Sequence, residues 1–212
     1  VDYVTTMQDN WAGTMYSAGS WTATATCNSG STGWVLFQTA ATTSASGTLV
    51  DWTNTANALD DDADYATAAL DNGGNYESEY LNLTNPAYGT TIPTGADSYT
   101  ISFRIKRARD AGGGHRIDDL TVQFIDDTST RVGDNLAVSA DWPTTAATQD
   151  YTVTGLTPDG TEFTSAAGLA IRATAVNAAA LSDAYILTAW IKVDWTCGDA
   201  ASKARGFFAL TE

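Results

Sequence analysis

The segment Tyr99-Thr100-Ile101-Ser102-Phe103-Arg104-Ile105-Lys106 alternates with a period of two, so that Ile101, Phe103 and Ile105 share one face and polar groups the other. A half-buried extended strand segregates such a pattern, whereas a helix would scatter the same residues around its axis. Leu120, Val122 and Phe124 repeat the pattern beyond Gly112-Gly113-Gly114, which predicts a second strand neighbouring the first, and Asp126-Asp127-Thr128-Ser129 reads as the next turn. The longest candidate strand lies near the end of the chain. There Tyr185, Leu187, Ala189, Ile191, Val193 and Trp195 alternate with Ile186, Thr188, Trp190, Lys192 and Asp194. Its length predicts a central position. The expected core is Ile101, Phe103, Ile105, Leu120, Val122, Phe124, Leu187, Ile191 and Val193.

Shorter strands are expected at Trp21–Cys27, Trp34–Thr39, Glu79–Leu83, Asp150–Leu156, Leu169–Val176 and Arg205–Leu210, between clusters of Gly, Asn, Asp, Ser and Pro. The segment Asn54–Leu70 has no convincing apolar stripe and reads as loop. Short strands without a sustained helical period predict an all-β antiparallel sandwich, jelly-roll-like, and 212 residues that are 43% hydrophobic can fill one such core. Three parts follow: an arm or small subsheet over 1–49, the sandwich over 50–197, and an extension over 198–212. Cys27 and Cys197 have no metal-ligand spacing, and the sequence leaves free thiols and a disulfide between the two extensions both open.

Ten basic against 25 acidic residues give a formal charge of −15, which opposes attraction to nucleic acid or to an anionic membrane. No stretch approaches the ~20 apolar residues of a membrane-spanning helix, and we expect a soluble chain with no signal core. Charged residues make up 17% of the chain, against roughly 25% in a typical domain, a composition suited to surfaces that pack side by side.

Asp60, Asp61, Asp62 and Asp64 form the densest carboxylate cluster, yet the spacing of a calcium-binding helix-loop-helix is missing, so a solvated acidic loop is expected rather than a calcium site. His115 is the single histidine, and no nucleophile elbow or reactive-cysteine signature accompanies it. Neither catalysis nor a cofactor is expected. Five of the ten basic residues, Arg104, Lys106, Arg107, Arg109 and Arg116, fall within one short region. They read either as a strand face neutralised by local acids or as a patch docking on an acidic neighbour. Of the seven tryptophans, Trp190 sits opposite the core face of the long strand and points toward solvent, a partner or the second sheet, with contact to a sugar as a further reading.

From Trp52 onward the order of residues resembles a family of small jelly-roll-like structural proteins of tailed bacteriophages. The pattern runs through Trp52-Thr53-Asn54, Asn57-Ala58, Asp64-Tyr65-Ala66-Thr67-Ala68, Leu81 to Asn85, Ile92-Pro93-Thr94-Gly95-Ala96 and the strand ending at Arg107. It continues in Asp141-Trp142-Pro143 and Ala184–Trp195. The resemblance implies a place on the outer surface of the virion, as capsid decoration, head fibre or tail part, with capsid or tail subunits as partners and a homo-oligomer, a trimer, as the working form. It implies no catalytic residue. The alternative expectation is a carbohydrate-binding or host-receptor module with a surface glycan as ligand. Val1–Ala18, Lys203–Glu212 and the Arg104–Arg116 region are expected to contact neighbouring subunits.

Overall fold

The computed structural model describes residues 27–45, 49–70, 76–111, 116–176 and 182–198. The expectations for Val1–Ala18, Lys203–Glu212, Arg205–Leu210, most of Trp21–Cys27, the Gly112–Gly114 turn and His115 lie outside the described residues. The strands are β1 (Gly30–Ser31), β2 (Val35–Thr43), β3 (Ala66–Leu70), β4 (Tyr80–Pro86), β5 (Ser98–Arg109) and β6 (Ile117–Ile125). They continue with β7 (Arg131–Val132), β8 (Ala147–Thr152), β9 (Gly168–Ala175) and β10 (Ser182–Thr196). Among the described residues these strands all pair antiparallel.

Two sheets face each other. In the first, β8 pairs with β5 and β5 with β10, while the other edge of β10 is shared end to end by β3, β2 and β1. In the second, the order is β2-β4-β9-β6-β7. β2 belongs to both, pairing Val35 and Leu36 with β10 and Phe37 to Thr43 with β4. The chain crosses between sheets at most successive strands, β6 and β7 excepted, so the fold is an all-β sandwich of jelly-roll type. Residues 30–43, read from the sequence as part of an arm or small subsheet, are woven into both sheets.

The core follows the period-two pattern. Ile101, Phe103 and Ile105 of β5 face Val122 and Phe124 of β6, with Leu81, Leu83, Leu169 and Ile171 beside them, all buried. The Phe103 and Phe124 rings meet across the interior with centroids 6.3 Å apart. Contrary to expectation, β5 and β6 are not sheet neighbours: β5 pairs with β10 and β8 in the first sheet, and β6 with β9 and β7 in the second. Leu120 is also displaced: a register shift between Asp119 and Thr121 moves it out of the core and leaves it only half-buried. The segment read as loop contains a 3-10 turn at Thr55–Ala58 and β3, whose Ala66, Ala68 and Leu70 are buried against β10. Alanine is a weak strand former, which hid β3 in the sequence.

Local chemistry fixes where the strands begin. Gly95 takes φ +74°, the left-handed region that suits glycine, and its N–H donates to Asp159 O at 2.9 Å. At the C-terminal end of β10, Cys27 and Cys197 form a disulfide with Cα atoms 5.6 Å apart, closing a separation of 170 residues. Trp195 lies flat on Gly30, where an added Cβ would come within 2.6 Å of the ring, and its indole N–H donates to Asn28 O at 2.8 Å. The N-terminal described segment is therefore bound to the end of β10 by packing, hydrogen bonding and a covalent link.

Two measurements check this account. Phe103→Ala removes a fully buried ring and should cost about 3–5 kcal/mol in equilibrium urea unfolding. Reduction of the disulfide under native conditions should lower stability by about 2–5 kcal/mol, with little change in the far-ultraviolet spectrum before the transition.

Candidate functional site

The outer face of the first sheet carries Arg104, Lys106 and Trp190, because even-numbered positions of β5 and the positions of β10 paired with them point away from the core. Cross-strand register places Leu36, Trp190, Arg104 and Asp150 in one row across β2, β10, β5 and β8. Trp190 alternates with the buried Ala189 and Ile191, so it faces outward and not toward the second sheet. Arg104 clamps Asp150 through two hydrogen bonds of 2.7 Å and stacks over the Trp34 ring, its guanidinium carbon 4.4 Å from the centroid. Lys192 approaches the same ring at 5.5 Å and pairs with Asp194 at 2.7 Å. Trp34 was not singled out in the sequence. Its position beside a cationic strand became visible only once β2 was paired with β10.

The basic residues are not one patch. Lys106 pairs with Asp61 at 2.5 Å, Arg109 grips both oxygens of Asp141 at 3.0 Å, and Arg116 grips Asp118 at 2.6 and 2.7 Å. These cations are neutralised by acids of the same chain.

Arg107 departs from its neighbours altogether. It has the same parity as Ile101, Phe103 and Ile105, and only 3% of it is exposed. Its guanidinium hydrogen-bonds Asp119 of the opposite sheet and donates to the Tyr151 hydroxyl at 2.5 Å. Asp119 accepts in addition from the Trp142 indole at 2.9 Å, the Tyr151 hydroxyl at 2.8 Å and the Val138 N–H at 3.1 Å. Both carboxylate oxygens are thereby satisfied inside the core. Burial, followed by the Asp119 charge, pushes the Tyr151 phenol well above its ordinary range. Arg107 therefore serves the interior and not a surface contact.

The acidic loop is equally local in its bonding. Asp62 Oδ1 accepts the Asp64 N–H at 2.7 Å, a turn-forming contact, and Asp61 serves Lys106. Among the described residues, no three His, Cys, Asp or Glu side chains are grouped as metal ligands.

Beside this loop the outer face opens into a cleft of about 660 Å³ between β5, β10, the strand preceding segment at 62–65 and the segment at 144–146. Its aromatic wall pairs Tyr65 with Tyr185, ring centroids 4.8 Å apart. The sequence placed Tyr185 on the core face, but a register shift between Ile186 and Thr188 reverses the alternation. Ala184 and Ile186 turn inward, and Tyr185 turns outward. The Tyr185 hydroxyl donates to Asp183 at 3.1 Å, and burial together with the Asp183 charge pushes its pKa up to about 12. The ring is held protonated and oriented.

Two predictions follow from these pairings. Asp119→Ala strands Arg107 in the core without its counter-ion and should cost about 3–5 kcal/mol in urea unfolding, of which Arg107→Met in the same chain should restore a large part. Arg104 holds Asp150 below the ordinary carboxylate range chiefly by hydrogen bonding. The stability from this pair is therefore full above the unfolded-state value of roughly 3.9 and is lost as the pH falls through the lower folded-state value. Since Asp150 is half exposed, Asp150→Asn should remove no more than about 1 kcal/mol at neutral pH and flatten that part of the acid titration.

Compared with known proteins, the chain matches no family model, and no curated protein matches its sequence.

Proposed function

We propose that this chain works by contact and not by catalysis, as a structural protein on the exterior of a tailed-virus particle, where it decorates the capsid surface through assembly with virion subunits and with its own copies. The observation that supports this reading is the outer face of the first sheet. Trp190 and Arg104 lie there on β10 and β5 beside Trp34, and the charges of Arg104 and Lys192 are already paired with Asp150 and Asp194 of the same chain. A partner covering this face meets preformed ion pairs and half-buried indoles, with fewer bare charges to desolvate. Trp and Arg are the residue types that anchor protein interfaces. The jelly-roll form suits the role as well, since it recurs in capsid proteins.

The buried ionisable groups agree with a structural role. Arg107, Asp119 and Tyr151 satisfy one another within the core. Lys106, Arg109 and Arg116 are each tied to a local acid and so present no free charge.

The test is the oligomeric state and particle attachment of the full chain. Native mass spectrometry is expected to give trimers, and the protein is expected to cosediment with capsids. Trp190→Ala combined with Arg104→Ala should shift the population to monomer while leaving the far-ultraviolet spectrum unchanged. A chain that stays monomeric at high micromolar concentration and does not cosediment overturns the proposal.

A further inference from the structure

We propose that the cleft bounded by Tyr65, Tyr185, Lys106 and Asp110 is a binding site for a neutral saccharide. This goes beyond the assembly reading and does not depend on it. Among the described residues, Tyr65, Tyr76 and Val176 are the large apolar side chains left exposed, and of these Tyr65 lines the cleft. A ring that is 42% exposed, just before β3, contributes little to the core. It packs against Tyr185 with centroids 4.8 Å apart and planes tilted by 34°, which fixes its orientation and leaves its exposed face for the C–H face of a pyranose.

The remaining lining supplies the second half of sugar recognition, fixed polar groups around an apolar platform. Lys106 and Asp110 reach the cleft from β5 and its end. Each is oriented by a neighbour: Asp61 holds the Lys106 ammonium, and the Ser182 hydroxyl donates to Asp110 Oδ1 at 2.8 Å. An ammonium and a carboxylate held in place can donate to and accept from adjacent hydroxyls. The Tyr185 hydroxyl is tied to Asp183, so little side-chain freedom is lost on binding. The volume of about 660 Å³ lies within the range of small-ligand sites. Ligand charge is set by the surroundings. Lys106 and Arg109, the two cations of the lining, are already neutralised by Asp61 and Asp141, Asp62 and Asp110 also line the cleft, and the chain carries −15 overall, so an acidic sugar is repelled.

The experiment is a nuclear magnetic resonance titration of the isotopically labelled full chain with methyl hexosides, lactose and cellobiose, with glucuronic acid in parallel. The expected result is saturable binding of at least one neutral sugar, with shifts centred on residues 62–65, 106–111 and 185–187. Tyr65→Ala should weaken it about tenfold. Ala63→Trp, which fills the cleft from an exposed loop position and removes neither ring, should block it, and Tyr76→Ala should leave it unchanged. The inference is overturned if no neutral sugar binds at tens of millimolar, if Tyr65→Ala and Ala63→Trp bind as well as the parent, or if glucuronic acid binds more tightly than the neutral sugars. Oligomeric state is measured separately, so a monomeric chain that binds sugar retains this inference and loses only the assembly reading.

Discussion

The sandwich depends on β10 having both of its edges hydrogen-bonded along nearly its whole length. One edge runs against β5 from Ala184 to Thr196, and the other receives β3, β2 and β1 in succession. Three segments that are distant in sequence acquire their register from this single strand, and two of them are too short to persist alone. Because β2 continues from β10 into the second sheet, the same strand also sets where the two sheets join. Burying Ala189, Ile191 and Val193 beside Ile105, Phe103 and Ile101 then holds the inner faces together.

Apolar packing between two sheets is weakly directional and tolerates sliding. The Arg107–Asp119 pair is different in kind. Arg107 and Tyr151 come from the first sheet, Asp119 from the second, and Trp142 from the segment that covers them. The carboxylate accepts four donors whose positions are fixed by three separate parts of the chain. Shifting one sheet against the other by a residue would separate them and leave charge unpaired in a low-dielectric interior, a state that is strongly disfavoured. The network therefore specifies one alignment of the sheets among the many that the apolar contacts alone permit.

Much of the fold was legible because period two is a geometric property of strands. The inward set Ile101, Phe103, Ile105, Val122, Phe124, Ile191 and Val193 was readable from alternation alone, and so was the length of β10. The parity rule also contained the position of Arg107, two residues beyond Ile105. Grouping the basic residues by their charge, without regard to parity, concealed it. What could not be read were the two register shifts. One turns Leu120 aside and brings Asp119 inward, and the other turns Tyr185 outward into the cleft. A bulge depends on the partner strand, so local sequence carries little sign of it. The ion pairs were hidden for the same reason, since Asp150, Asp141 and Asp61 lie far from their partners along the chain and meet them only after the strands have paired.

The disulfide has a mechanical consequence. Cys27 and Cys197 sit side by side, and everything between them forms a covalent ring that contains both sheets. Tension pulling apart the chain that precedes Cys27 and the chain that follows Cys197 passes from one backbone to the other through the sulfur–sulfur bond. It never loads the hydrogen bonds of β1, β2 or β10, and the strands cannot be peeled from the ends. A β-sandwich without that bond would be unzipped from its terminal strands by a force acting on the same two points, whereas this one can carry load along a line that bypasses its own core.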